Sequence, residues 1–361
     1  MNPQSRKPTR SLKLGSVTIG GGAPVSVQSM CNTDTRDAAA TLTQIRSLAT
    51  LGCQIIRLAV PDMAAAEALR EITAASPIPV VADIHFDYRL ALASIAGKAA
   101  AIRLNPGNIG NADQIRQVAE AAGEAGIPIR VGANSGSVRP ELLTAMSLPE
   151  ALVHSALEQC RLLEQFDFHN IKVSLKASDV SATVAACRLF RERADYPQHI
   201  GVTESGTPAR GIVKSSVGIG ALLLDGIGDT LRVSLTAPPE QEVVTALRIL
   251  EACGLRSAEP ELVSCPTCGR TRIDLIGLAE KVESLINEIK SSGRKIRLHK
   301  IAVMGCVVNG PGEARDAEIG VAGGDRKLAI FHKGEIAGTY PEEEGFALLR
   351  AEILKHCDPA Q

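Results

Sequence analysis

The stretch "CQIIRLAVPDMAAAEALREITAASPIPVVADIH", residues 53–85, contains two apolar runs with a helix-like segment between them. The runs at 53–60 and 79–85 are continuously apolar rather than alternating, which is typical of strands that are buried on both faces. Residues 62–74 have the composition and spacing of a helix. A strand, a helix and a second strand in this order predict a parallel βαβ unit.

The same alternation recurs on both sides of this stretch. Six more runs have strand character, at 24–30, 100–106, 127–134, 170–178, 199–206 and 230–237. Helix-like segments lie between them, and several end in Gly, the usual helix stop. Eight such units over roughly 250 residues predict an α/β fold with an N-terminal (β/α)8 TIM-like barrel. A doubly wound open sheet is the alternative, but no GxGxxG opens a helix after the first strand, so a dinucleotide site has no support.

The pattern changes after the eighth unit. A helix-like stretch at 274–291 is followed by short strand-like runs and a final helix at 342–356. These elements predict a smaller α+β domain. We therefore expect a barrel domain at 1–258 and a second domain at 259–361.

Composition narrows the classes of function. The chain has 361 residues, a formal net charge of -1, 2% aromatic residues and no Trp, which argues against a nucleic-acid-binding surface. The first residues lead into no apolar segment of the kind that a signal peptide needs, and no run approaches the ~20 residues of a membrane span. We expect a cytoplasmic protein. Its nine cysteines are an odd number and fit reduced thiols with a metal-binding subset better than disulfides.

Charged and polar side chains occupy the ends of the predicted barrel strands, where a buried parallel strand should be apolar. They are Arg57, Asp83, His85, Arg103, Asn105, Arg130, Asn134, Lys172, Ser174, Lys176, Thr203, Glu204, Arg232 and Ser234. Cations outnumber carboxylates in this set, which predicts a pocket for a substrate with several negative charges, most simply a diphosphate. Alternatively, some of the arginines pair with Asp83, Asp229 or Glu204, and His85 is a core histidine. Glu204 is the most isolated acid among the cations and is a candidate general acid or base.

Three cysteines have the spacing of a metal site. Cys265 and Cys268 form a Cys-x-x-Cys knuckle, and Cys306 follows some forty residues later. A Cys3His zinc site completed by His299 is one interpretation. Another is a [4Fe–4S] cluster whose fourth corner is held by Glu313, a hard ligand that soft iron–sulfur iron binds weakly and can exchange. Spacing alone leaves iron–sulfur, zinc and no metal open.

Seven motifs in this order resemble the bacterial 4-hydroxy-3-methylbut-2-enyl diphosphate synthase family, from about residue 10 to residue 350. They are "PVSVQSMCNTDT", "DIHF", "IRLNPGNIG", "IRVGANSGS", "GVTESG", "SCPTCGR" and "MGCVVNGPGEA". The length matches the short bacterial form of this family, which acts in the methylerythritol phosphate route to isoprenoids. Cys31 stands where the family pattern leads us to expect Thr, and this departure affects no assigned role.

The resemblance implies a two-electron reductive ring opening and dehydration of 2-C-methyl-D-erythritol 2,4-cyclodiphosphate. It implies a [4Fe–4S] cluster on Cys265, Cys268, Cys306 and Glu313, with Glu313 also taking part in catalysis. It also places Glu204 in the active site. The implied substrate-binding residues are Arg57, His85, Arg103, Arg130, Asn134, Lys176 and Ser234. Ferredoxin or flavodoxin is the implied electron donor, and the implied assembly is a homodimer in which the cluster domain of one chain caps the barrel of the other.

Two other functions remain open from the residues themselves. One is a zinc-containing TIM-barrel hydrolase or lyase that acts on a phosphorylated substrate. The other is a non-catalytic module in which the "SCPTCG" knuckle binds zinc. The polar side chains at the ends of the predicted strands argue against the second, because a module without a substrate has no need of them.

Overall fold

The computed structural model describes residues 6, 8–256, 260–307, 312 and 314–358. The chain divides into two compact units, Met1–Arg256 and Ser257–Gln361. The first unit begins with an antiparallel hairpin of β1 (Leu12–Leu14) and β2 (Val17–Ile19). Its apolar side chains pack on residues at the beginnings of later barrel strands, such as Ile55 and Val81. The hairpin therefore covers the amino-terminal end of the barrel.

Eight parallel strands form the barrel of the first unit, in the spatial order β8-β7-β6-β5-β4-β3-β10-β9. A parallel bridge between Val173 and Gln198 joins the two ends of this order. The predicted TIM-like barrel is thereby confirmed. The strands are β3 (Ser26–Met30), β4 (Ile55–Ala59), β5 (Val80–Asp83), β6 (Ala101–Arg103), β7 (Ile129–Asn134), β8 (Ile171–Lys176), β9 (His199–Ile200) and β10 (Thr230–Leu231).

Helices surround these strands, and all but the short α5 bury an apolar face against them. Several begin at an Asp whose carboxylate accepts an N–H of the first turn, as at Asp37, Asp62 and Asp179. The helices are α1 (Ala38–Thr50), α2 (Met63–Ala75), α3 (Tyr88–Ala96), α4 (Ala112–Glu124), α5 (Pro140–Ala145), α6 (Leu148–Glu164), α7 (Val180–Arg193), α8 (Pro208–Leu224) and α9 (Pro239–Ala252).

The last two barrel strands are shorter than the apolar runs that predict them. Regular pairing covers two residues in β9 and two in β10, against the eight-residue runs at 199–206 and 230–237. After β9 the chain turns through Glu204 and Gly206, both with positive φ. An extended strand cannot continue through such residues, so the polar groups that follow β9 and β10 lie in loops.

The second unit has a five-stranded mixed sheet in the order β11-β12-β13-β14-β15. The first three strands are parallel, and the last two pairs are antiparallel. Two helices pack on it and share a separate apolar core. The elements are β11 (Glu261–Ser264), α10 (Leu275–Ser291), β12 (Lys300–Met304), β13 (Ile319–Gly323), β14 (Lys327–His332), β15 (Glu335–Pro341) and α11 (Glu342–Lys355). In the part of the chain that is described, no helix has the length and apolar character needed to cross a membrane.

Candidate functional site

Four ionisable residues form a row across adjacent barrel strands. Asp83 of β5 is the register partner of Arg103 of β6, which pairs in register with Arg130 of β7, and Arg130 in turn with Lys172 of β8. Residues in register on neighbouring strands share one face of a sheet. All four are buried, so the row places three cations and one carboxylate together in the barrel interior.

Asp83 organises one side of this row. Its carboxylate lies 3.5 Å from Arg57 Nε, 3.2 Å from Arg103 Nη1 and 3.7 Å from His85 Nε2. Burial alone would raise the pKa of Asp83, but the nearby His85 ring and the guanidinium groups of Arg57 and Arg103 outweigh burial and hold this pKa well below its usual range. Burial lowers the pKa of Arg57 to about 10 against the opposing charge of Asp83. Asp83 is therefore ionised at neutral pH, and it orients two arginines.

Arg130 of this row and Lys176 at the end of β8 form no ion pair with a carboxylate among the described residues. Arg130 is 5% exposed, and its Nε and Nη1 atoms have no hydrogen-bond partner among the described residues. Burial and the charges of Arg57 and Arg103 push the pKa of Arg130 well below its ordinary value. Burial and the charge of Arg130 likewise lower the pKa of Lys176 strongly. These are positions at which an anionic ligand would replace lost solvation.

Lys172 lies deeper in the interior than Lys176 and is 1% exposed. Its Nζ atom has no hydrogen-bond partner among the described residues. Burial, followed by the charge of Arg130, lowers the pKa of Lys172 to about 7. His199 is also fully buried there, with Nδ1 2.8 Å from Thr230 Oγ1 and Nε2 without a partner in the described chain. The sequence pattern points to Lys172 only as one of many strand-end residues, and it does not point to His199.

Arg232 differs from these cations because it has a carboxylate partner. It follows β10 and donates to Glu242 of α9, with Nη2 3.2 Å from Oε2. Glu242 also accepts the Leu235 N–H at 3.0 Å. The pairing of arginines with Asp83 that the sequence left open as an alternative occurs at Arg57 and Arg103, and Arg232 pairs as well, with an acid that the sequence does not single out. Asp229 pairs instead with Arg6, at 2.8 Å.

The remaining predicted site residues lie at or after strand ends. Asn134 ends β7 in register with Lys176, and Ser234 is half-buried beyond β10. His85 follows β5 with 57% of its side chain exposed. Glu204 is exposed and has a left-handed backbone, with φ at +51°. The structure therefore brings Arg57, His85, Arg103, Arg130 and Lys176 into one charged cluster, whereas Glu204 is at the surface of its loop.

In the second unit, Cys265 and Cys306 follow neighbouring parallel strands. Cys265 comes directly after β11, and Cys306 lies two residues after β12, with Ser264 and Val303 in register. The N–H of Gly305 donates to Cys265 Sγ at 3.1 Å. Because parallel strands end at the same sheet edge, the knuckle and the "MGC" segment lie side by side. The strand β11, which the sequence pattern does not predict, produces this arrangement.

Two further contacts shape the cysteine edge. Thr271 Oγ1 accepts the Cys268 N–H at 3.2 Å and closes the knuckle. A Cβ at Gly305 would lie 2.9 Å from that same Oγ1, so only glycine lets β12 end this close to the knuckle. A backbone hydrogen bond from Arg270, with its side-chain hydrogen bond and charge, lowers the pKa of the exposed Cys268 thiol. N–H groups aimed at sulfur and a depressed thiol pKa are what a thiolate-bound metal group requires.

Glu313, the predicted fourth ligand of the cysteine edge, lies outside the described residues. Within the described residues no three His, Cys, Asp or Glu side chains are grouped closely enough to hold a metal ion. His299 precedes β12, and the five residues of that strand separate it from the cysteine edge by about 16 Å. The Cys3His zinc site with His299 is therefore wrong. Cysteines after two neighbouring strand ends, with a third in the same knuckle, are the residue types that an iron–sulfur group takes as ligands, although the described side chains are not gathered into a metal site.

Known proteins match both units. Residues 9–247 match the GcpE TIM-barrel domain, and residues 261–355 match the GcpE protein C-terminal domain. The 4-hydroxy-3-methylbut-2-en-1-yl diphosphate synthase (flavodoxin) of Geobacter sulfurreducens is 55% identical over 349 residues, which are 96% of this chain and 97% of that protein. The protein of the same name from Clostridium perfringens is 51% identical over 353 residues, 97% and 98% of the two chains. The similarity therefore extends through both units and over nearly the full length of these relatives.

Proposed function

The chain belongs to the GcpE family, and from this premise we propose that it reduces 2-C-methyl-D-erythritol 2,4-cyclodiphosphate to 4-hydroxy-3-methylbut-2-enyl diphosphate. The family predicted from the seven motifs is confirmed. The relatives carry the name of this synthase, which supports the reductive reaction over the zinc-dependent hydrolase or lyase. The chain is thus an oxidoreductase of isoprenoid precursor synthesis.

One observation carries the assignment of the substrate to the barrel. Arg130 and Lys172 are buried with nitrogen atoms that have no partner in the described chain, and Lys176 is buried beside them. Unpaired buried cations are costly unless an anion meets them. Two linked phosphates would supply several acceptor oxygens to these nitrogens and offset the repulsion among the cations.

The residues of the barrel then have distinct roles in binding. Arg57 and Arg103 are oriented by Asp83, so their remaining N–H groups are presented in a fixed direction for phosphate oxygens. Arg130 and Lys176 supply charge from the neighbouring strands. His85, Asn134 and Ser234 would add neutral hydrogen bonds at the rim. Glu204, on its exposed loop, would manage the proton that accompanies loss of the hydroxyl group as water.

The second unit would hold the redox group. Cys265, Cys268 and Cys306 would bind three corners of a [4Fe–4S] cluster, and Glu313 the fourth. When bound, such a cluster supplies single electrons to the carbon–oxygen bonds that break. The chain itself contributes the sheet edge from which Cys265 and Cys306 follow, the Gly305 N–H that donates to Cys265 Sγ, and the Thr271 hydroxyl that accepts the Cys268 N–H. Glu313 as a weakly held ligand would leave one corner exchangeable.

The electron donor is proposed from the relatives. Their names include flavodoxin, a one-electron carrier, and two deliveries are needed for each turnover. Ferredoxin remains a second candidate from the resemblance. The resemblance also supports a homodimer in which the cluster-bearing unit of one chain serves the barrel of the other.

Anaerobic purification followed by turnover tests this function. We expect a brown protein with about four iron and four sulfide per chain, which converts the cyclodiphosphate when reduced flavodoxin is supplied. Cys268→Ser should lose iron and activity, whereas Cys253→Ser, at a thiol that follows α9 in the first unit, should keep both. A colourless protein with stoichiometric zinc and no turnover would overturn the proposal.

A further inference from the structure

The row of buried ionisable residues that crosses β5 to β8 ends at Lys172. Burial and the neighbouring charges of Arg130 and Arg57 oppose a positive charge there. A ring phosphate carries one negative charge, so a cyclic diphosphate brings two. The charge on Lys172 therefore depends on how much negative charge is bound beside it.

Ring opening changes this balance. When the ring carbon–oxygen bond breaks, the diphosphate oxygen leaves with the electron pair, and the freed phosphate becomes terminal. A terminal phosphate has a second ionisation with a pKa near 6, so at pH 8 the linear diphosphate has one more negative charge than the cyclic one. Two electrons enter from the reduced donor, and two protons balance their charge. One proton leaves with the hydroxyl group as water. The other is not retained by the product phosphate at this pH.

We propose that Lys172 takes up this proton when the bound ring opens and so balances the additional negative charge of the linear diphosphate. The inference rests on the proposed function. Lys172 is in register with Arg130, is fully buried, and has an ammonium nitrogen without a partner in the described chain. It thus lies beside a proposed phosphate ligand, where a gained charge stabilises the product.

Neighbouring charges act in opposite directions on the pKa of Lys172. Arg130 of β7 and Arg57 of β4 oppose its protonation, whereas Asp229, just before β10, favours it. His199 of β9 also faces this region, and its own pKa is pushed well below the ordinary value by burial and by Lys176, Arg130 and Lys172. With its pKa lowered to about 7, Lys172 is mostly neutral at pH 8 in the empty site. An anionic charge added beside it would raise its pKa, and Lys172 would then bind a proton.

Binding measurements on the full-length protein without reductant test the proposal. The probes are isopentenyl diphosphate, which is linear, and the cyclodiphosphate itself, titrated at pH 8 in two buffers of different ionisation enthalpy. We expect the linear probe to bring about one proton into the protein for each molecule bound, and the cyclic probe to bring clearly less. Between pH 7 and 9, affinity for the linear probe should fall by up to about tenfold per pH unit.

Variants assign the proton to Lys172. Lys172→Met should bind the linear probe with little proton uptake, a flat pH profile and about tenfold weaker affinity at pH 8, while affinity for the cyclic probe changes less. Lys172→Arg, which keeps a fixed charge, should restore affinity without restoring uptake. Lys214→Met, at an exposed lysine of α8, should behave as the wild type.

The outcomes distinguish a failure of this proposal from a failure of the proposed function on which it rests. If neither probe binds the wild-type protein, the proposed function fails. If both bind with equal proton uptake, only the role of Lys172 is overturned. This comparison uses the wild-type protein alone, so it does not depend on whether a variant folds. Uptake that persists in Lys172→Met also overturns the proposal and assigns the proton to another cation, of which Lys176 is the first to test.

Discussion

At the scale of single residues, Asp83 determines how the barrel cations are held. It is the one carboxylate that contacts Arg57, Arg103 and His85 together within the described chain. A buried acid that orients two guanidinium groups fixes the directions of their free N–H donors. The strength of phosphate binding by these arginines therefore depends on a residue that need not touch the substrate.

We predict that Asp83→Asn lowers the free energy of unfolding by about 3 kcal/mol, because it leaves two buried guanidinium groups without their counter-charge. Urea unfolding near pH 7 measures the loss, and isopentenyl diphosphate should reverse part of it by supplying the missing negative charge. Asp225→Asn, in a more exposed pair with Arg188, should lose much less. A loss no larger than that of this control would contradict the role given to Asp83.

The effect of Asp83 should also depend on pH. A carboxylate whose pKa is held well below its unfolded value of about 4 contributes stability that is complete above that value and is lost as the pH falls through the folded pKa. The difference between wild type and Asp83→Asn should therefore be constant from pH 6 to 8 and shrink below about pH 4.

The residue types of the site could be predicted from the sequence, but their depth in the barrel could not. Charged residues at the ends of apolar runs are visible in the sequence, and Arg57, Arg103, Arg130 and Lys176 do lie together. The burial of Lys172 and His199 and the pairing of Arg232 with Glu242 depend on the stagger of the strands and on a helix ten residues away. No local pattern encodes that stagger.

At the scale of elements, the junction of β11, β12 and the knuckle determines where the thiols lie. Gly305 ends the β12 segment against Thr271, and Thr271 in turn holds the Cys268 N–H. The sequence indicates the Cys-x-x-Cys knuckle and the Gly beside Cys306, but β11 is a short strand beside residues of mixed polarity. Its pairing with β12 is a long-range contact and could not be predicted from periodicity.

We predict that Gly305→Ala reduces the iron content of the anaerobically prepared protein several-fold. The added methyl group would lie 2.9 Å from Thr271 Oγ1 and 3.1 Å from Leu275 Cδ2, so the knuckle must shift away from Cys306. Crowding of this kind also costs about 1–2 kcal/mol of stability. In the same unit, Gly324→Ala meets its nearest atom at 3.6 Å and should keep its iron. A full iron content in Gly305→Ala would show that the junction tolerates displacement.

At the scale of the whole molecule, the main hydrophobic core of the first unit and that of the second share no residue in the described part of the chain. The large core of the first unit surrounds the barrel strands, and the core of the second unit lies between its sheet and the helices α10 and α11. The proposed ligands divide in the same way, with the diphosphate in the barrel and the cluster on the thiols. The sequence predicts this division because the strand–helix alternation stops after the eighth unit.

We predict that the full-length protein unfolds in two calorimetric transitions, each of which responds to one ligand. A linear diphosphate at about 100 times its Kd adds ~2.7 kcal/mol to the barrel alone, so only that transition should rise, by several degrees. Removal of iron should lower only the other, because a metal group stabilises the unit whose ligands it joins.

Two variants assign the transitions in the same scan. Arg130→Met should abolish the rise caused by diphosphate and leave the iron-dependent transition in place. Cys268→Ser should have the opposite pattern, since its thiol belongs to the second unit. A single transition that moves with both treatments would mean that the two cores unfold as one cooperative unit, and it would contradict the separate stability of the two units.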